Sequence, residues 1–323
     1  MPAALAAFIL FAWTQEATPL DLWDALNQGV LQNATFIQQT LVRAVPLVLA
    51  ALAVVIPARA GLVNVGGEGQ LILGAVAATG LGVAVGSSLP GPFSWLLCIL
   101  IGAMAGGLWG GLCGALKVWF RAPEPVTTVL ANFIAISIML YLLYQPWRDP
   151  EGTGQPQSRP LDTAAMLPMI PGSRVSIAIL VVVGFAVLVW WLLARTNWGF
   201  RIRVTGGNPE AARRSGLPTA RLSIASIGLG GAMAGIGGAL NLIGLEGQLR
   251  PDITIGFGFV AFLAAFLARG SVVKAALLAL LFSAIVVASN PLQLRAGLDG
   301  SAVYVLLGCL CLGMAALSRR RTV

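Results

Sequence analysis

The chain has 323 residues, of which 58% are hydrophobic and only 10% are charged, and it contains no histidine. A soluble domain keeps about a quarter of its residues charged, so this composition, with a mean hydropathy of +0.87, excludes a water-soluble fold. It predicts an all-α polytopic membrane bundle, because an apolar run of about 20 residues crosses about 30 Å of hydrocarbon.

The missing histidine excludes a Ser/His/Asp triad, a His-ligated zinc or haem site and an imidazole proton relay. Neither lysine, Lys117 nor Lys274, stands in a phosphate-binding loop of the G-x-x-x-x-G-K-[ST] type, so the chain is expected not to hydrolyse ATP by itself. The four cysteines lie in apolar runs, where a thiol behaves as a small apolar group. We expect no catalytic residue, no cofactor, no bound metal and no nucleic-acid partner.

In chain order, residues 1–40 hold a short apolar run, 1–13, and a mixed segment, 14–40, which is typical of an amphipathic helix at a membrane surface. The run 1–13 is short for a full span and lacks the positive region of a signal peptide, so both a spanning and a non-spanning role stay open. The transmembrane domain is expected over 41–317 and a basic tail over 318–323. Within this domain we predict nine spans, or ten with the N-terminus: 42–58, 61–85, 93–116, 126–144, 175–194, 222–245, 256–268, 272–288 and 301–317.

The basic residues predict the orientation, since cytoplasmic loops retain Lys and Arg. If the C-terminus lies inside, 14 of the 20 Lys and Arg residues fall on the cytoplasmic side. The C-terminus is therefore expected in the cytoplasm, and the N-terminus as well if residues 1–13 span the membrane.

Two connections are longer than usual. The outside connection, 145–174, is rich in Pro and Gly, and it is expected to be irregular and to lie over the outer mouth. The cytoplasmic connection, 195–221, contains the sequence GGNPEAARRSGLP.

A capped helix of about two turns is predicted within this sequence. Asn208 is suited to the N-cap, Pro209 to the first helical position and Glu210 to the first turn. Arg213 lies in the last turn, where a positive charge is favourable, and Gly216 is suited to the left-handed residue that ends a helix. The sequence thus predicts a short helix in the cytoplasm between two spans.

Polar residues also occur within the apolar runs. The stretch 59–70, RAGLVNVGGEGQ, holds Asn64, Glu68 and Gln70 among four glycines. One interpretation is an irregular helix start that lines the transport pathway, because ionisable groups at membrane depth usually face a bundle interior or a water-filled path. The other is that Glu68 caps or crosslinks neighbouring helices through backbone N–H groups. Both interpretations stay open.

Four further residues have two possible roles. Asn132 and Asn241 each stand within an apolar helix, where hydrogen bonding between helices and contact with a ligand are the alternatives. Phe257 and Phe259 begin an aromatic run at helical spacing, for which core or lipid contact is the default and pathway lining the alternative.

Small residues recur every four positions at Gly231, Gly235 and Ala239. Such spacing permits close approach of helices in lipid, where no hydrophobic force drives them together. These three positions are interpreted as packing residues.

Four segments, in the same order, resemble the inner-membrane permease subunits of bacterial ABC importers for simple sugars and nucleosides, and most of all the nucleoside-type branch. Together they cover most of residues 20–317, and NPEAAR after a W-G-F-R-x-R lead is the most specific. The segments are GLVNVGGEGQLILGA (61–75), APEPVTTVLANFIA (122–135), RTNWGFRIRVTGGNPEAARRSGLPTARL (195–222) and GFGFVAFLAAFLARG (256–270).

The resemblance implies about ten spans, a second and often different permease subunit, two cytoplasmic ATPase subunits and an extracytoplasmic binding protein or lipoprotein. It implies a multi-pass protein of the bacterial plasma membrane, in contact with its lipids. It also implies that 206–217 is the coupling helix, which docks in a groove of the ATPase. The residues assigned to coupling are Gly207, Asn208, Pro209, Glu210, Ala211, Ala212, Arg213 and Gly216. The pathway candidates are Asn64, Glu68, Gln70, Asn132, Asn241, Phe257 and Phe259.

One departure from these relatives lies within and just after the segment 256–270. Val260 stands where they often carry an acidic residue, and residues 268–271, ARGS, replace their G-R-N-x-P pattern.

The expected function is a permease of an ABC importer for a neutral, hydroxyl-rich solute, because a charged solute would require fixed counter-charges. A nucleoside is the first choice and a pentose or hexose the second. A secondary transporter driven by an ion gradient is a third possibility, for which Glu68 would supply the membrane carboxylate. A purely structural or assembly subunit is a fourth.

Overall fold

The computed structural model describes residues 18–297, except 86–87, 153 and 255, together with residues 13, 15, 305, 308 and 309. The run 1–13, nearly all of the predicted span 301–317 and the tail 318–323 lie outside the described residues. β-Pairing in the described part is limited to two isolated bridges. The α-helices of this part are α1 Pro19–Leu26, α2 Phe36–Ala58, α3 Gly67–Val85, α4 Gly91–Phe120, α5 Glu124–Tyr144, α6 Ala178–Arg195, α7 Asn197–Gly207, α8 Pro209–Arg214, α9 Thr219–Asn241, α10 Phe257–Leu267, α11 Val272–Val287 and α12 Ser289–Ala296.

Seven helical segments of the described chain are long and apolar enough to cross a bilayer. They are α2 to α6, α9 with a π-helical extension that ends at Glu246, and α11 continued to Leu294. The all-α polytopic prediction is confirmed. The predicted full span at 256–268 is wrong, because α10 has 11 residues and is therefore about 16 Å long.

In the segment predicted as amphipathic, 14–40, the described residues form α1, a π-helical turn at Asn27–Leu31 and the first turn of α2. Leu22 and Ala25 are buried, while Leu20 and Trp23 are 74% and 60% exposed. The buried side of α1 packs against α12. After a π-helical turn, the chain enters α2, so the first described span begins within the predicted segment.

Glycines allow α9 to lie in backbone contact with α3 and α4. A Cβ built on Gly235 would lie 2.1 Å from the carbonyl oxygen of Gly102, and one built on Gly74 would lie 2.2 Å from the carbonyl oxygen of Gly235. One built on Gly231 would lie 2.2 Å from the carbonyl oxygen of Gly106. The interpretation of Gly231 and Gly235 as packing residues is confirmed.

The two ends of the bundle differ in charge and covering. One end, named the basic end, includes Arg59, the residue that follows α2. Arg59 lies against Gly206 of α7 and Gly270 of the α10–α11 turn. At the opposite end, the connection 145–177 crosses the bundle and Leu161 N donates to a carbonyl of the loop after α9. Its described residues are irregular apart from one 3₁₀ turn and two isolated β-bridges, as predicted.

We expect Gly235→Ala to destabilise the protein by about 1–3 kcal/mol, the usual cost of forcing a methyl group into a filled space. The methyl group would overlap the carbonyl oxygen of Gly102, so α9 and α4 would have to separate. Thermal unfolding of the purified protein measures the effect. The control is Gly111→Ala on α4, whose Cβ would meet no atom within 4 Å. Equal melting temperatures for both variants would contradict the close packing of α9.

Candidate translocation and coupling sites

The first helix start inside the bundle is that of α3. Residues 61–66 enter the bundle from the basic end as irregular chain with turns at Gly61 and Gly66, and a bilayer supplies no partners for their backbone groups. Side chains of α5 supply them instead. Val65 N donates to Thr128 Oγ1 at 3.2 Å, and Val65 O accepts from Asn132 Nδ2 at 3.0 Å. Asn132 Oδ1 accepts from the N–H of Gly69 at 2.8 Å, so Asn132 fixes both sides of the helix start.

Asn64 and Gln70 complete this network. Asn64 Nδ2 donates to Gln70 Oε1 at 3.0 Å and to the Ala53 carbonyl at 3.1 Å. The Ala53 carbonyl needs this donor because Pro57, four residues later in α2, has no N–H. Gln70 Nε2 in turn donates to Asn64 Oδ1 at 3.2 Å. Both side chains are fully buried, and their amides form hydrogen bonds with the backbone and with each other.

The second interior helix start is that of α10. After the π-helical extension of α9, residues 247–256 return into the bundle, and Ile253 and Thr254 are buried. Asn241 Nδ2 donates to the carbonyl of Ile253 at 2.9 Å. The Oδ1 atom of Asn241 is buried and has no hydrogen-bond partner among the described residues. Asn241 therefore holds the returning loop by one hydrogen bond.

The Glu68 carboxylate connects the two helix starts. It projects from the first turn of α3 and is 4% exposed. Its Oε1 accepts from Thr254 Oγ1 at 2.5 Å and from Gly256 N at 3.0 Å, and its Oε2 accepts from Gly258 N at 2.6 Å. The N-termini of α3 and α10 both carry positive partial charge toward this group. Glu68 of α3 therefore caps the N-terminus of α10.

The two aromatic candidates differ in exposure. Phe257 is 2% exposed, and the guanidinium of Arg43 lies 5.7 Å from its ring centroid. Phe259 is 44% exposed. Of the seven pathway candidates, Phe259 alone has a side chain at the surface of the described protomer.

The cytoplasmic connection predicted at 195–221 contains two helices. Besides the predicted one it forms α7, which is capped where Thr196 Oγ1 accepts from Gly199 N at 3.2 Å. Sequence analysis missed α7 because residues 197–207 alternate charged, small and apolar side chains without a long apolar run. The threonine before this segment was an available N-cap signal.

The predicted short helix is present as α8. Asn208 Oδ1 accepts from Ala211 N at 3.0 Å, Pro209 occupies the first helical position, and Gly216 has φ +80°. The predicted start and stop signals are therefore confirmed.

The surface of α8 is charged and locally paired. Glu210 forms ion pairs with Arg213 and Arg214, each at 3.1 Å. The assignment of Ala212 to an exposed docking surface is wrong, because its side chain is 0% exposed and faces the packed elements behind α8. The other residues assigned to coupling are exposed: Gly207, Asn208, Pro209, Glu210, Ala211, Arg213 and Gly216.

Residues 36–315 match the family model described as "Branched-chain amino acid transport system / permease component". The chain belongs to this permease family. The permease is 34% identical over 316 residues to the glucose ABC transporter permease protein TsgB13 of Haloferax volcanii. The aligned region covers 94% of this chain and 82% of that protein.

Two further relatives are named for nucleosides. The guanosine ABC transporter permease protein NupP of Bacillus subtilis is 28% identical, over 91% of this chain and 84% of that protein. The nucleoside ABC transporter permease protein NupC of Lactococcus lactis is 28% identical, over 75% of this chain and 78% of that protein. The permease is thus a multi-pass membrane subunit of an ABC importer, a function that implies ATPase partners and a substrate-binding protein.

We expect Glu68→Gln to lower the melting temperature of the purified permease together with its transport. Glutamine keeps one acceptor oxygen but turns an amide NH₂ toward backbone N–H donors, and each charge-assisted hydrogen bond lost costs about 1.5–3 kcal/mol.

The matched control for this prediction is Glu246→Gln. Glu246 is 20% exposed and forms one ion pair, with Arg43 at 3.5 Å, so its loss should change the melting temperature much less. A Glu68→Gln permease that melts as the wild type does but fails to transport would instead place Glu68 in the pathway.

Proposed function

We propose that the permease forms the translocation path for a neutral, hydroxyl-rich solute, with a nucleoside as the first choice and a monosaccharide as the alternative. One observation carries this proposal: Glu68 is the one buried charged side chain among the described residues, and its carboxylate already accepts three hydrogen bonds. A charged solute would require an opposite charge left available inside the path, since burying an unpaired charge is costly. The relatives named for guanosine, nucleosides and glucose support the same solute class.

We place the path on the protomer surface that includes Phe259. The other six pathway candidates are buried, and the polar ones bond to the two helix starts, so a solute could reach them only by opening these starts. A path bounded on one side by Phe259 needs a second wall. In this proposal a second permease subunit, a different sister chain, supplies that wall, and an extracytoplasmic binding protein or lipoprotein delivers the solute.

Uptake measurements on the complete complex test the solute class. With the partner subunits and the binding protein present, proteoliposomes are expected to take up radiolabelled guanosine in an ATP-dependent manner. Excess unlabelled guanosine should abolish this uptake and excess glucose should not. ATP-dependent glucose uptake that guanosine leaves unchanged would establish the monosaccharide alternative, and uptake driven by an ion gradient without ATP would contradict the proposal.

We also propose that α8 is the coupling helix and that the basic end and the C-terminus lie in the cytoplasm. The basic end carries α7, α8 and the 11 described Lys and Arg residues among the 14 that the charge rule assigns to the inside. The exposed side of α8 lies outside the packed bundle and is free to meet a partner. In this arrangement the partner subunit hydrolyses ATP and α8 transmits its movement.

Ala211→Trp tests the coupling role. Ala211 is exposed whereas Ala212 is buried, so an indole at 211 should block docking without disturbing the bundle. We expect an inserted, folded permease that no longer copurifies with the ATPase or transports. The control is Gln155→Trp, a bulky substitution at an exposed position of the opposite end.

Thiol labelling of intact cells makes this result interpretable. In a background without native cysteines, an impermeant reagent should label Gln155→Cys and leave Ser215→Cys unlabelled. Normal ATPase binding and normal transport by Ala211→Trp would refute the coupling role and leave α8 as a surface anchor in contact with anionic lipid headgroups.

A further inference from the structure

A cavity of about 860 Å³ lies at the basic end of the bundle, between the C-terminus of α2, α7 and the α10–α11 turn. It has two kinds of wall. Three arginines, Arg59, Arg203 and Arg269, line one part. The other part is lined by the apolar side chains of Val54, Val63, Phe262, Phe266 and Leu278.

Two of these arginines have no acidic partner in the described part of the chain. Among the described residues, the ion pairs include neither Arg59 nor Arg203. Arg203 donates one N–H to the carbonyl of Leu193. The Nε atom of Arg59 is buried and has no hydrogen-bond partner in the described structure. Burial and the nearby charge of Arg203 both lower the pKa of Arg59, so the two guanidinium groups lie near each other without a compensating carboxylate.

The backbone of the α10–α11 turn keeps the Arg59 side chain at the cavity wall. Arg269 and Gly270 adopt left-handed conformations, with φ of 49° and 76°. A Cβ built on Gly270 would lie 3.4 Å from Nε of Arg59. The Arg59 side chain therefore lies directly over this turn, with its Nε atom buried against Gly270.

The apolar wall continues from the arginines into the bundle. Phe262 and Phe266 stack with ring centroids 6.3 Å apart, and Phe266 is 65% exposed. Val63 is 41% exposed. Val54 lies five residues before Arg59 in α2, about 7 Å along the helix axis. A ligand that fills the cavity must therefore carry a negative group and an apolar chain that reaches past it.

We propose that this cavity binds an anionic phospholipid, with its phosphate between Arg59 and Arg203 and the start of an acyl chain against Phe262 and Phe266. Guanidinium groups match phosphate oxygens in geometry and charge. A free phosphate would leave the exposed phenyl rings uncovered, and a lipid without net charge would leave the arginines uncompensated. Basic pockets between helices on the cytoplasmic side suit anionic headgroups.

Native mass spectrometry of the full-length permease in neutral detergent tests the site, with dioleoyl phosphatidylglycerol and dioleoyl phosphatidylcholine as probes. We expect phosphatidylglycerol to bind roughly 30-fold more tightly, which corresponds to about 1 kcal/mol for each of two arginines. The double variant Arg59→Gln/Arg203→Gln should lose this preference. Arg221→Gln, an exposed arginine outside the cavity lining, should keep it. Equal affinity for the two lipids in the wild type would overturn the proposal.

A second pair of variants tests the site even if the double variant folds poorly. Gly207 lines the cavity, and a Cβ there would meet no atom within 4 Å. Gly207→Glu supplies an internal counter-charge and should abolish the preference for phosphatidylglycerol, whereas Gly207→Gln, of the same size, should retain it. Equal preferences in these two variants would refute the role of charge.

Two competitors distinguish other occupants. Inorganic phosphate in large excess is expected to leave phosphatidylglycerol bound, and so is the ATPase subunit. Displacement by phosphate would identify a free-anion site, and displacement by the ATPase would identify an acidic segment of that partner as the occupant. The inference rests on the membrane orientation proposed above. The measurement in detergent depends on neither the orientation nor the solute, so a negative result would refute the lipid site without refuting the proposed orientation or solute class.

Discussion

A single carboxylate joins two helices that start inside a membrane bundle. Each helix start leaves up to four backbone N–H groups without intrahelical partners, and hydrocarbon offers none, at a cost of several kcal/mol for each unsatisfied group. Glu68 projects from the start of α3 and accepts from Gly256 and Gly258 at the start of α10. The amides of Asn64 and Asn132 serve the chain before α3 in the same way. The position of each start therefore depends on side chains of other elements.

Close backbone approach makes these starts part of one packed block. A Cβ on Gly258 would lie 2.1 Å from the amide nitrogen of Glu68, so the carboxylate reaches its donors only because glycine is present. Glycines likewise allow α9 to pack closely against α3 and α4. Since α9 contacts α8 at one end and leads into the loop before α10 at the other, we expect a displacement of α8 to reach both interior helix starts through α9.

Hydropathy and capping signals predicted the all-α bundle, most helix limits and α8, since each of these leaves a local mark in the sequence. The two interior helix starts leave a weaker mark, because an apolar window over 61–85 or 256–268 does not distinguish a full span from a shorter helix that follows irregular chain. The burial of Ala212 depends on which side of α8 meets its neighbours, and the pairing of Glu68 with residues almost 190 positions later is a tertiary contact. Neither the burial of Ala212 nor the contacts of Glu68 can be predicted from the local spacing of residue types.

Polar residues of this permease divide by location more than by type. Those in the interior, such as Asn64 and Glu68, hold the backbone where helices begin, whereas Arg59 and the charged residues on the exposed side of α8 lie where another molecule can reach them, as does the apolar ring of Phe259. Solute preference can then change at surfaces while the interior contacts persist. Relatives named for glucose and for guanosine each align with at least 91% of this chain. With the path proposed at the Phe259 surface, the choice of solute would fall to that surface, because the interior side chains are already engaged in holding the helix starts.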